Sequence, residues 1–190
     1  AAYAQAATLD GMLKVATVNQ GTCLLVLHRY EEALAVFGRV LSADPKDPGA
    51  TLGSCDALEA LGKTGEALDA CTRLTALDPK DVEAWARRAR LAHLAGNAKD
   101  ALASINRATS LAPDRVDLLR SKRDILVAAD ATKAVIDVCD RLLALDPRDA
   151  DAVREKALAF ERMGKADQAL ETFDVAARLD PMDRRLWNAR

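Results

Sequence analysis

Leu145-Asp146-Pro147-Arg148-Asp149 belongs to a set of stretches that return at a fixed interval: Pro45, Pro79, Pro113, Pro147 and Pro181 stand 34 residues apart with no insertion between any two. The residues ahead of them read Ala43-Asp44, Leu77-Asp78, Leu111-Ala112, Leu145-Asp146 and Leu179-Asp180. Leu9-Asp10-Gly11 falls one interval before Pro45 and lacks only the proline. A strict period of this length marks an array in which each repeat is one supersecondary unit, unable to bury its apolar face except against a neighbour. Counted from Lys14, the complete repeats are 14–47, 48–81, 82–115, 116–149 and 150–183. Residues 1–13 fit the second helix of a preceding repeat and 184–190 the start of a further one, so a piece of a longer array forming one solenoid domain is expected.

Each repeat reads as two helices. In the third, Ala84, Trp85, Ala89 and Ala92 recur at spacings that share one helical face, and Gly96 follows as a left-handed cap, like Gly62 and Gly164. His28 and Asp130 hold that place in the first and fourth repeats, and both types tolerate positive φ better than most. The second helix is marked by Ala33-Leu34, Ala67-Leu68, Ala101-Leu102, Val135-Ile136 and Ala169-Leu170. Proline then stops it, and Asp47, Asp81, Asp149 and Asp183 stand where a carboxylate would cap the next helix. Pro48 sits in the first turn, where its missing N–H is harmless.

Composition agrees. Half of the 190 residues are hydrophobic but only 4% are aromatic, and Ala and Leu dominate, which favours helix over strand. A net charge of −2 provides no basic field for nucleic acid or anionic lipid. The longest strongly apolar run, Cys23 to Leu27, is too short to cross a bilayer, and the Ala-rich start lacks the basic flank of a signal peptide. Cys71 and Cys139 take the place of Phe37, Ile105 and Phe173, and Cys55 that of Gly21, Ala89 and Ala157. The four cysteines are therefore read as small, reduced core residues of an intracellular, cytoplasmic protein.

The anchors resemble the tetratricopeptide repeat (TPR) pattern of Trp, Gly or Ala, Ala, an aromatic and Pro. The third repeat answers with Trp85, Ala89, Ala101, Ile105 and Pro113, the fifth with Val153, Ala157, Ala169, Phe173 and Pro181. The resemblance spans the whole chain and implies an all-α fold, a right-handed α-solenoid of antiparallel helix pairs. The fourth repeat departs from it. Arg123 and Val135 stand where the family has small residues at the closest approach of the pair, and Asp130 replaces the turn glycine. Splaying is expected there, with the Arg123 head reaching water or an acid such as Asp137 or Asp140.

The resemblance also implies that the first helices line a concave groove. Its candidate residues are Val15, Val18, Thr22, Leu25, Leu52 and Asp56, then Arg87, Arg90 and His93, then Arg120, Asp124, Arg154 and Leu158. That surface suits a protein or peptide partner with apolar and acidic parts, since guanidinium groups match carboxylates. The competing reading is self-neutralisation within each helix through Glu83–Arg87, Asp117–Arg120, Arg120–Asp124 and Asp151–Arg154. Lys and Asn are absent from the places that form a C-terminal carboxylate clamp in the family, and no Asn ladder is present. No catalytic constellation, cofactor motif or metal-ligand spacing stands out, because His28 and His93 are far apart and the glycines sit at helix joints. A non-catalytic interaction scaffold is expected. The alternatives are a regulatory segment of a larger enzyme and a self-assembling module whose open ends, at Tyr3 and Ala6 or Leu186 and Trp187, pack on copies of the chain.

Overall fold

A computed structural model describes residues 2–180, with side chains from residue 11 onward. Among the described residues it contains ten helices and no strand: α1 (Ala2–Val26), α2 (Tyr30–Ala43), α3 (Pro48–Ala60), α4 (Thr64–Leu77), α5 (Val82–Leu94), α6 (Ala98–Leu111), α7 (Val116–Ala128), α8 (Thr132–Leu145), α9 (Ala150–Arg162) and α10 (Ala166–Leu179). The chain divides into two compact units, residues 1–97 and 98–190, the division falling at the turn between α5 and α6. Asp183, Leu186, Trp187 and the side chains of Tyr3 and Ala6 lie outside the described residues.

The joints inside each repeat follow from local chemistry. Gly62, Gly96 and Gly164 have φ near +70°, and His28 (+57°) and Asp130 (+51°) take the same left-handed conformation. At the joints between repeats one aspartate closes a helix and a second opens the next. Asp146 accepts from the Arg148 amide at 2.9 Å, as Asp44 and Asp78 do from Lys46 and Lys80. Asp149 accepts from Ala152 at 2.9 Å, Asp47 from Ala50 at 2.8 Å and Asp81 from Ala84 at 3.0 Å. At the start of the fourth repeat Ala112 and Arg115 replace both aspartates, and α7 begins without a side-chain cap.

One expected boundary is absent. Residues 1–13 do not form a separate helix, because α1 runs unbroken through Leu9-Asp10-Gly11. Without proline nothing there removes a backbone donor or clashes with the preceding turn, so the helix continues.

In residues 1–97, Ala33, Phe37, Val40, Ala50 and Ala57 form one cluster, and Cys55, Leu58, Ala67, Ala70, Cys71, Leu74, Ala84 and Leu91 another. In residues 98–190, one cluster gathers Leu119, Leu126, Val135, Val138, Cys139, Leu142, Ala152 and Ala159, and a second Val153, Ala157, Ala169, Phe173 and Ala176. Phe37 is completely buried because Gly21 and Gly53 leave room for its ring: a Cβ on Gly53 would meet the ring at 2.2 Å. Trp85, expected in the core, is half-buried. Its indole N–H donates to the Pro79 carbonyl at 3.1 Å and Arg88 lies over its ring at 5.4 Å. Cys55, Cys71 and Cys139 are buried as expected, whereas Cys23 is exposed on α1.

In the fourth repeat Val135 is absorbed into the core at 2% exposure. Arg123 does not reach Asp137 or Asp140; its Nε and Nη2 donate to Asp124 at 3.0 and 2.8 Å. Its Nη1 is buried with no hydrogen-bond partner.

Candidate functional site

In residues 1–97 the first helices of three repeats are joined side by side. α1 packs on α3. From α5, Arg87 donates to Asp56 and lies 3.7 Å from Glu59, and Arg90 donates to Glu59, both acids being on α3. Neither cross-helix pair is among those expected from spacing along one helix.

Two clefts lie on this surface and share Pro48 and Gly49. One, of about 210 Å³, is lined by Lys14, Val15, Val18, Asn19 and Asp47 as well. The other, of about 320 Å³, adds Leu52, Leu74, Asp81, Glu83, Ala84 and Arg87. Gly49 keeps the first open, since a Cβ there would touch Val18 at 3.3 Å. The candidate residues divide accordingly. Val15 is 57% exposed and Leu52 43%, while Val18 and Leu25 lean into the core cluster around Phe37. The Thr22 hydroxyl is turned back onto the Val18 carbonyl at 3.1 Å, and His93 is exposed in the last turn of α5. Pro48 and Gly49 were absent from the sequence-derived set. The signal was there, because the second place of a repeat reads Val15, Gly49, Glu83, Asp117 and Asp151, and only the second repeat has no side chain.

In residues 98–190 the candidates are tied down. Arg120 donates to Asp149, the α9 cap, at 3.0 Å, instead of pairing within α7. Burial alone would raise the Asp149 carboxyl, but the Ala152 amide and the Arg120 guanidinium outweigh it and hold that group below its ordinary value. Asp124 is taken by Arg123. Arg154 is only 8% exposed and donates to Asp151 at 2.5 Å and Glu155 at 3.1 Å, so its head is engaged within α9. Leu158 is half-buried.

Among the described residues one group offers metal-ligand atoms in proximity: the Cys55 and Cys71 sulfurs and a Glu59 carboxylate oxygen, all within 4.8 Å of one another. No described helix is long and apolar enough to cross a membrane.

Comparison with known proteins places this arrangement. One tetratricopeptide repeat model matches residues 24–76 and 58–123, and a second tetratricopeptide repeat model matches 123–190. Curated protein sequences give no match. Among solved structures, YrrB, described as a TPR protein with an unusual peptide-binding site, superposes with a TM-score of 0.82 at 18% identity over 100% of this chain and 97% of its own. MamA superposes with a TM-score of 0.80 at 18% identity, over 92% of this chain and 96% of its own. A second MamA structure gives 0.77 at 20% identity, over 90% and 94%. At these identities the likeness establishes the fold alone, an all-α solenoid of helix pairs, and with the family models it shows that the chain belongs to the tetratricopeptide repeat family.

Proposed function

We propose that the chain is a non-catalytic protein-interaction scaffold that holds a peptide segment or partner helix on the face formed by α1, α3 and α5. The observation that carries this reading is the pair of adjoining clefts sharing Pro48 and Gly49, flanked by the exposed apolar side chains of Val15 and Leu52. Apolar groups of a ligand enter there. A peptide-binding TPR protein among the structural neighbours is consistent with this use of the fold. Arg87, Arg90, Arg120 and Arg154 alike have their charge engaged by acids, so the exposed apolar side chains beside the clefts, and not the arginines, favour this face.

The test is selection of peptides from a displayed library against the intact chain, followed by calorimetric titration. Val15→Asp plus Leu52→Asp changes only exposed positions and leaves the core clusters untouched. Binding weakened by about tenfold or more, a loss of roughly 1.4 kcal/mol, supports the face. Undiminished affinity in the folded double variant moves the site elsewhere.

A further inference from the structure

We propose that Cys55 and Cys71 are a redox modification site, a dithiol that a peroxide converts to a disulfide tying α3 to α4 within the second repeat. This is independent of the peptide-binding reading. The two sulfurs face each other 2.7 Å apart in the core, and both residues are completely buried. Their placing follows from the repeat. In the first repeat the eighth and twenty-fourth places meet across the helix pair, as the Phe37 ring lying against Gly21 shows. Those places read Gly21 and Phe37 in the first repeat, Arg123 and Cys139 in the fourth, Ala157 and Phe173 in the fifth; the second alone has cysteine at both.

Distance decides between a bond and a metal. A tetrahedral ion with metal–sulfur bonds of about 2.3 Å holds its thiolates roughly 3.8 Å apart. The observed separation is well inside that, and a small movement of either side chain brings the sulfurs to the bonded distance of about 2.05 Å. The third candidate ligand, Glu59, is already engaged by Arg87 and Arg90. Chemistry also distinguishes the two sulfurs. The Cys71 thiol donates to Cys55 and holds the Cys55 thiol below its ordinary range against the effect of burial, with Arg87 acting in the same direction. Donation to Cys55 and burial raise Cys71 itself. Cys55 is thus the attacking thiolate. Its sulfur attacks hydrogen peroxide, the S–O bond forms as the O–O bond breaks, and hydroxide leaves as water after taking a proton. The Cys71 sulfur then displaces the second hydroxide from the sulfenic acid, which leaves as water with the Cys71 proton. Two thiols and one peroxide become one disulfide and two waters, the two electrons passing from sulfur to oxygen.

The experiment is hydrogen peroxide treatment of the intact chain, then alkylation and peptide mapping without reductant. The expected product is a Cys55–Cys71 cross-linked peptide lighter by two hydrogens, lost on adding dithiothreitol. Cys139 is buried among apolar residues that push its thiol up to about 12, and it should stay reduced as an internal reference. The Cys55→Ala variant places there the residue that two other repeats carry, so it folds. In it Cys71 should remain a free thiol under the same treatment. Cys55 recovered only as sulfinic acid or linked to the exposed Cys23 would overturn the proposal. So would equimolar zinc retained through gel filtration together with protection of both thiols.

Discussion

Gly53 illustrates how one missing side chain sets a repeat's geometry. It lies inside α3, where glycine ordinarily costs about 1 kcal/mol against alanine. A methyl there would meet the fully buried Phe37 ring at 2.2 Å, and one at Gly21 would meet the same ring at 2.5 Å. Overpacking of a closed core costs about 1–3 kcal/mol, so the clash outweighs helix propensity. Gly53→Ala is expected to destabilise the chain by the difference, up to about 2 kcal/mol, in urea denaturation, partly recovered by adding Phe37→Leu. Gly38→Ala in α2, with nothing within 4 Å of its Cβ, should instead gain up to about 1 kcal/mol. Equal effects at the two positions would refute the account. Gly21 was legible as one of the small residues at its place; Gly53 was not, because its place carries Asn, Arg, Ser or Glu in the other repeats. Asp149 gives a second test at this scale. Its carboxyl lies below its ordinary value when folded. The unfolded chain therefore takes up the proton first as pH falls, and the stabilisation is present above about pH 4 and lost through the lower folded pKa. Asp149→Asn retains the cap, so it should flatten the fall in melting temperature between neutral pH and about pH 3. An unchanged slope would mean that Asp149 contributes nothing to it.

At the scale of elements, α7 is where local rules are broken together. It starts at Arg115 without a side-chain cap, carries the Arg123 guanidinium with a buried unpartnered nitrogen, and ends at a non-glycine left-handed residue, Asp130. Each defect lowers the free energy of opening without touching neighbouring helices. Amide exchange should thus be faster in α7 than in α5, which has the Asp81 cap and Gly96. Equal protection would show that the Val135 cluster compensates. Arg115→Asn should slow exchange in the first turn and add about 1 kcal/mol, the worth of a neutral cap, less a surface pair with Asp117 worth little. Helix limits and caps were legible because proline, glycine and aspartate act within a few residues of themselves. Asp151–Arg154, three apart on α9, was legible too, but the charge pairs between helices were not. Arg87 to Asp56 and Arg120 to Asp149 join residues 31 and 29 apart, and their meeting depends on how stacked helices are rotated. The unbroken α1 was missed for a related reason: Leu9-Asp10 matches the start of the joint, but Gly11 stands in place of the proline and Leu13 in place of the capping aspartate.

At the scale of the whole molecule, four clusters of buried residues are each made by consecutive helices, two in residues 1–97 and two in residues 98–190. Stability in such an array is a sum of repeat and nearest-neighbour terms, so unfolding need not be all-or-none. The defects of α7 lie in residues 98–190, and that unit should therefore give way first. Trp85 in α5 reports on residues 1–97 once Trp187 is replaced by Phe, whereas far-ultraviolet circular dichroism reports on all the helices. In a urea titration of the Trp187→Phe chain, the dichroism should begin to fall before the Trp85 fluorescence changes. Superimposable curves would mean a single cooperative unit. The same titration separates the binding surfaces, because a ligand stabilises only what it holds, by about 2.7 kcal/mol at a hundred times its Kd. A selected peptide seated between α1, α3 and α5 should shift the Trp85 transition to higher urea and leave the earlier dichroism phase in place, widening the gap. A peptide that shifts the early phase alone would place its site in residues 98–190 and return Arg120 to consideration.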